Sequence, residues 1–177
     1  MGGYTGSRIV YTYIIDIDKD QIKRGPDMNT IRQEPACSKI KIGQKMYLVV
    51  FGGHDNSVKL DSTEFLEVDV LYDGSDIDWS RDYQAEGIKW INNGPKLPKA
   101  SFRSRAIPLS SSSVYQLGGE TYDASIDNNV FKLTCGGDVG SCQWQEGTSL
   151  KFGRKSHIII PIEDSMADQL CGNETTE

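Results

Sequence analysis

A pair of adjacent glycines recurs along the chain at a nearly constant interval, and this repeat constrains the fold more than any other feature. Gly52-Gly53 and Gly118-Gly119 each follow an apolar run, and Gly2-Gly3 stands at the start of the sequence. A degenerate copy comes near the end, where Gln116-Leu-Gly-Gly-Glu-Thr121 reappears as Gln169-Leu-Cys-Gly-Asn-Glu-Thr175. From one second glycine to the next, the spacings are 50, 66 and 53 residues.

Further segments with strand character follow each glycine pair in the same order. Alternating apolar and polar residues predict a strand over residues 8–17, 63–70 and 129–134. Trp90 and Trp144 come next in two of the intervals, where the first interval has Ile22. An Arg-led apolar run then opens the next unit, over residues 103–109 and 154–160, with residues 36–42 as a weaker copy. The polar, acidic residues 73–87 are an insertion that accounts for the long middle interval.

The order of glycine pair, aromatic strand, Trp and Arg-led strand resembles the kelch repeat, which recurs about every 50 residues. The resemblance implies an all-β fold, a partial kelch-type β-propeller built of four-stranded antiparallel blades. It divides the chain into a half blade (1–35), blades over 36–99 and 100–151, a half blade (152–171) and a tail (172–177). Since propellers close with about four to eight blades, the missing blades are expected in a longer chain or an assembly.

The repeat assigns structural roles to two sets of residues. One set gives the backbone positive φ or a close approach to its neighbour, and consists of Gly52, Gly53, Gly118 and Gly119. The other is expected to fill the space between blades with large side chains, and consists of Tyr47, Phe65, Trp90, Tyr115, Phe131 and Trp144.

Four cysteines are present, and only Cys135 and Cys142 are close in sequence. They lie between two predicted antiparallel strands, so we expect a disulfide across that hairpin. Free thiols and a metal site are the alternatives, although no other His or Cys lies at zinc-ligand spacing. Cys37 lies in an apolar strand and is expected to be a small buried side chain. Cys171 could pair with Cys37 only if the tail returned there.

The signals for cellular location point in two directions. Asn173-Glu-Thr175 matches the N-glycosylation pattern, and together with a disulfide it favours an extracellular, secreted protein. No signal peptide is visible at the start of the sequence, so a cytoplasmic location is the alternative. No apolar run approaches the roughly 20 residues that span a membrane. The net charge of −6 with scattered basic residues argues against a nucleic-acid partner.

The residues that could carry chemistry form no recognisable catalytic motif. The only histidines are His54 and His157, without a convergent set of Tyr and Cys such as a copper radical oxidase would need. Nucleophile-elbow, phosphate-loop and zinc-protease motifs are missing from the sequence. Asp16, Asp18 and Asp20 are typical of a solvated turn, since a calcium loop would need further oxygen ligands. We therefore expect no enzyme activity and no cofactor.

The expected function is a non-catalytic scaffold that presents blade-connecting loops to a protein or glycan partner. Trp79 and Tyr83 in the acidic insertion are the candidate contact residues, although Trp79 could instead pack back on the sheet. One alternative is a fragment of a secreted propeller enzyme, similar to galactose oxidase, with its catalytic residues on other blades. The second is a fragment of an intracellular kelch substrate adaptor.

Overall fold

The chain folds into antiparallel sheets in a computed structural model that describes residues 9–160, which confirms the predicted all-β class. Two single 3-10 turns, Val68–Leu71 and Val139–Ser141, are the helical segments of this range. The strands are β1 (Tyr13–Asp16), β2 (Gln21–Arg24), β3 (Ala36–Ile42), β4 (Lys45–Phe51), β5 (Thr63–Glu67), β6 (Tyr72–Asp73), β7 (Asp76–Ile77), β8 (Arg105–Ser110), β9 (Ser113–Glu120), β10 (Ile126–Thr134) and β11 (Gln143–Glu146).

Three sheets follow one another along the chain, and we call them A, B and C. Sheet A is the β1-β2 hairpin, sheet B has the order β3-β4-β5, and sheet C has the order β8-β9-β10-β11. Ile91 exchanges two backbone hydrogen bonds with Phe65 and so occupies the fourth position of sheet B. The short β6-β7 hairpin lies in the insertion between sheets B and C.

Sheets A and C share one backbone hydrogen bond where their last strand ends, and sheets A, B and C all share a second. In sheet A the Gly25 amide donates to Thr12 (2.9 Å), and in sheet C the Gly147 amide donates to Val130 (2.7 Å). A second backbone hydrogen bond is donated by the residue three positions after Gly25, Gly94 or Gly147. These bonds run from Met28 to Val10, from Leu97 to Asp61 and from Leu150 to Asn128. The local backbone is therefore equivalent in sheets A, B and C.

Two apolar cores lie between consecutive sheets. Because strand residues alternate between faces, β4 sends Val50 into the core shared with sheet A and Val49 into the core shared with sheet C. Each core holds one tryptophan whose indole N–H donates to the preceding segment. Trp90 donates to the Pro26 carbonyl (3.1 Å), and Trp144 donates to the Thr63 hydroxyl (3.2 Å).

Each of the two described glycine pairs binds the backbone of a segment farther along the chain. Gly52 and Gly118 have φ of 62° and 58°, and a Cβ at either position would collide with the carbonyl oxygen of Ser101 or Arg154. The next amide donates to that same carbonyl, at 2.9 Å for Gly53 and 2.8 Å for Gly119. Only a residue without a side chain allows this close approach with positive φ.

Three predicted strands differ from the structure. The strand predicted over 63–70 ends at Glu67, where a 3-10 turn reverses the chain and places Leu71 in the core. The strand predicted over 8–17 covers only Tyr13–Asp16, with residues 1–8 outside the described range. The apolar run over 154–160 forms no strand within the described residues, and Ile158 and Ile160 are exposed.

Candidate binding surface

Loops from sheets B and C meet at one edge of the sheets, and we call this edge the loop surface. It consists of residues 33–35, 54–62, 98–104, 120–125 and 151–157. Isolated bridges join Gln33 to His54 and Phe102 to Glu120, one in each sheet at the same position relative to the glycine pair. The Arg103 amide donates to the Glu34 carbonyl at 3.2 Å, which connects the segments that lead into β3 and β8.

Glu120 joins three parts of the loop surface through its carboxylate. Its oxygens lie 2.9 Å from Lys59 Nζ, 2.6 Å from Lys155 Nζ and 3.6 Å from Arg103 Nη1. The hydrogen bonds from Lys155 and Lys59 hold the pKa of Glu120 below its ordinary value. Because the three cations come from three separate segments, one carboxylate fixes the loops relative to one another.

Cations surround the ring of Phe102 next to this carboxylate. The Arg103 guanidinium carbon lies 4.7 Å and Lys59 Nζ lies 4.9 Å from the ring centroid. Arg103 Nε also donates to Glu34 at 2.5 Å, across the boundary between sheets B and C. His54 adds a tilted ring contact, with centroids 5.6 Å apart. The result is a positively charged, aromatic patch held on several sides.

A shallow depression of about 330 Å³ adjoins this patch and is lined by Lys99, Ala100, Thr121, Tyr122 and Asp123. Tyr122 is 77% exposed. Asp123 accepts hydrogen bonds from the hydroxyls of Ser125 and Thr121, and these bonds hold the pKa of the Asp123 carboxyl far below its usual range. The depression therefore offers an exposed aromatic ring together with a fixed negative charge and a lysine.

Five of the six predicted core aromatics pack in the cores between sheets, and Tyr115 lies on the outer face of sheet C. Tyr47, Phe65, Trp90 and Phe131 are buried in the two cores, whereas Tyr115 and Trp144 are half-buried. Trp144 nevertheless packs edge-to-face on Phe51, with ring centroids 4.8 Å apart.

The prediction that Tyr83 contacts a partner is wrong, because this side chain is fully buried. Its ring belongs to the core between sheets A and B, and its hydroxyl donates to the Leu71 carbonyl at 3.3 Å. Burial raises the pKa of Tyr83 above its ordinary value. Trp79 is half-buried, and its carbonyl accepts a hydrogen bond from Lys23 Nζ at 2.8 Å. The insertion thus contributes Tyr83 to the core between sheets A and B.

The cysteines divide into a confirmed prediction and a correction. Cys135 and Cys142 form a disulfide, and Cys142 contributes to the core between sheets B and C. Asp138 Oδ1 accepts from the Ser141 amide at 2.9 Å and so caps the turn between them. Cys37 was expected to be buried but is exposed, because alternation along β3 gives the core position to its neighbour Ala36. Cys171 and Asn173 lie outside the described residues.

Sequence reasoning missed a buried ion pair between Arg32 and Glu64, whose side chains are 0% and 1% exposed. The carboxylate of Glu64 accepts from Arg32 Nε and Nη2 and from the amides of Asn29 and Thr30. Arg32 Nη1 also donates to the Gly52 carbonyl at 2.7 Å. A constant spacing could have identified Arg32, since it follows Met28 by four residues as Ser101 follows Leu97 and Arg154 follows Leu150.

His54 and His157 lie on the loop surface but do not form a joint site with other ligands. Burial and the nearby charges of Arg105 and Arg154 lower the pKa of His157. Between residues 9 and 160, no group of three or more His, Cys, Asp or Glu side chains is arranged to hold a metal.

Two further results concern membrane-spanning helices and known protein families. No helical segment within residues 9–160 has the length and apolar character needed to cross a membrane. Models of known protein families give no match to the chain, and comparison with curated proteins gives none either.

Proposed function

We propose that the chain is a non-catalytic binding scaffold in which a partial kelch-type β-propeller presents the loop surface to an acidic protein partner. The observation that carries the proposal is the exposed Tyr122 beside a cluster of cations on a rigid frame. The loop surface holds six lysine and arginine side chains beside five aspartate and glutamate side chains, so its formal charge is +1 in a protein whose net charge is −6. Such a local reversal of sign favours association with an acidic surface.

The frame of the loop surface supports binding because it is ordered before a partner arrives. Glu120 and Glu34 tie the loops through Lys59, Arg103 and Lys155. Fixed loops lose little conformational entropy on association, so more of the contact energy appears as affinity. The same property fits a scaffold whose working part is its loops.

Tyr122 is the expected centre of the contact. An exposed tyrosine supplies a large apolar ring and a polar hydroxyl, and this residue type is enriched among the residues that dominate binding energy. Lys99 and Asp123 line the same depression and add charges of both signs. Lys155, one of the cations that bind Glu120, is itself about one-third exposed and adds positive charge beside it.

An extracellular location is part of the proposal, and the Cys135–Cys142 disulfide supports it. Disulfides persist mainly in oxidising compartments. Mass spectrometry of the chain purified from its native source with thiols blocked should find this bond intact. Four free thiols in that material would contradict an extracellular location.

A peptide-display selection against the immobilised chain tests the function directly. We expect enriched peptides to be acidic, and their affinity to fall as salt is raised. Tyr122→Ala should weaken the selected peptides at least about tenfold, as expected for a central contact residue. Tyr72→Ala is the matched control, because Tyr72 is 39% exposed in the β6-β7 hairpin, outside the loop surface.

Three results would contradict this function. The first is enrichment of neutral or basic peptides, and the second is an equal weakening of binding by Tyr122→Ala and Tyr72→Ala. A glycan array run in parallel provides the third test. Tyr122-dependent binding to glycans without any peptide binding would replace the protein partner by a carbohydrate.

A further inference from the structure

The interface between sheets B and C has two distinct halves. The β4 strand of sheet B contributes one half through Tyr47, Val49 and Phe51. The β10-β11 pair of sheet C contributes the other through Phe131, Leu133 and Trp144. Each half is a row of apolar side chains on one face of a sheet, and the two rows bury each other.

The β1-β2 hairpin repeats the register of β10-β11 but leaves its apolar row exposed. Tyr13 pairs with Arg24 and Ile15 with Ile22, just as Phe131 pairs with Glu146 and Leu133 with Trp144. The backbone bond that follows is also the same in both hairpins. Tyr13, Ile15 and Ile22 thus take the positions of Phe131, Leu133 and Trp144, yet they are 52%, 64% and 68% exposed.

The outer face of sheet C corresponds to the opposite half. Leu117 precedes Gly118 as Phe51 precedes Gly52, so Leu117 and Tyr115 occupy the positions of Phe51 and Val49. Neither Leu117 nor Tyr115 belongs to the two cores of the described residues. Ile107 pairs with Tyr115 across the sheet. Leu109 lies two residues further along the strand of Ile107 and is 64% exposed.

We propose that a second copy of the chain packs the apolar face of its β1-β2 hairpin onto the outer face of sheet C. The contact repeats between two molecules the interface that sheets B and C form within one. It joins two different surfaces, the hairpin face and the sheet C face, and is therefore a head-to-tail association. Burial of apolar side chains that are otherwise more than half exposed drives it.

The two faces are matched because they derive from the same interface. Three of the hairpin residues replace aromatic or aliphatic residues that already pack in this register. On the opposing face, Tyr115 and Leu117 occupy the positions of Val49 and Phe51, and those two residues pack against such a row inside the chain. This continuity with an interface inside the chain favours a second copy over an unrelated partner.

Light scattering and sedimentation velocity of the full chain over a concentration series test the proposal. The wild type should show a mass of two or more chains. Ile15→Asp on the hairpin face and Leu109→Asp on the sheet C face should each raise the dissociation constant at least 100-fold. Tyr72→Asp is the control, because Tyr72 is 39% exposed in the β6-β7 hairpin and lies on neither face.

Mixing the two variants distinguishes head-to-tail contact from other modes. The Leu109→Asp copy keeps an intact hairpin and the Ile15→Asp copy keeps an intact sheet C face, so an equimolar mixture should form heterodimers. Circular dichroism of each variant verifies the fold. A monomeric wild type would overturn the proposal, and so would a mixture of folded variants that stays monomeric.

Discussion

Replacing Arg32 by Met should destabilise the fold more than any other single change of one charged residue in the described range. The guanidinium is fully buried and lies 2.9 Å from the equally buried Glu64 carboxylate. Burial lowers the pKa of Arg32, and the attraction of Glu64 opposes that shift. Arg32→Met removes the cation but leaves Glu64 buried with its charge, held only by the amides of Asn29 and Thr30 and by the Asn29 side chain.

The expected loss in the free energy of unfolding is about 3–5 kcal/mol, the range for breaking one partner of a buried ion pair. With a urea dependence of about 2 kcal/mol per molar, the unfolding midpoint should fall by about 2 M. Tryptophan fluorescence follows the transition, since Trp90 and Trp144 lie in the two cores. Arg24→Met is the matched control, because Arg24 and Asp27 are partly exposed and their pair contributes less than about 1 kcal/mol.

A double variant separates the buried charge from lost packing. Adding Glu64→Gln to Arg32→Met removes the stranded charge and keeps one carboxamide oxygen as an acceptor for the Asn29 or the Thr30 amide, so it should recover about 1–2 kcal/mol. The reasoning fails if Arg32→Met costs less than about 1 kcal/mol. It also fails if the double variant is no more stable than the single one.

Three further predictions concern the glycine pairs, the loop surface and Cys37. Gly118→Ala should lower the free energy of unfolding by more than about 3 kcal/mol and Gly74→Ala by only about 1–2 kcal/mol, because both glycines have positive φ but only Gly118 faces a colliding carbonyl. Equal losses of unfolding free energy in urea titrations would refute this. Lysine contacts lower the pKa of Glu120 in the folded state, so its contribution to stability is present above about pH 4.5 and is lost as the pH falls through the folded value. Glu120→Gln should therefore flatten the acid limb of the stability curve, and an unchanged limb would contradict the prediction. Although the Cys37 side chain is exposed, partial desolvation raises the pKa of its thiol, so its alkylation at pH 8 should be slower than that of glutathione and should accelerate at higher pH.

The sequence predicts the repeating parts of this molecule well because they depend on local chemistry. The glycine pairs mark positions with positive φ, and alternating runs such as Lys45–Phe51 mark strands with two packed faces. The Cys135–Cys142 bond could be predicted because a short turn brings the two residues together. Each of these inferences needs only a few neighbouring residues.

Other features depend on contacts between distant segments, and the sequence did not indicate them. Tyr83 looks like a surface residue among acidic neighbours, yet the insertion folds back and buries it against sheet A and sheet B. Arg32 and Glu64 are 32 positions apart, and no local pattern marks Glu64 as the partner of Arg32. Cys37 depends on the phase of one strand, where a shift by one residue exchanges the buried and exposed faces.

The central claim is that the second glycine of each pair in sheets B and C donates the same backbone hydrogen bond to a segment farther along the chain. Long-range HNCO spectroscopy measures this directly, as scalar coupling across a hydrogen bond between an amide nitrogen and a carbonyl carbon. We predict couplings from Gly53 to Ser101 and from Gly119 to Arg154, with both amides slow to exchange. Fast exchange of either amide, or a coupling from one glycine without its counterpart from the other, would contradict the claim.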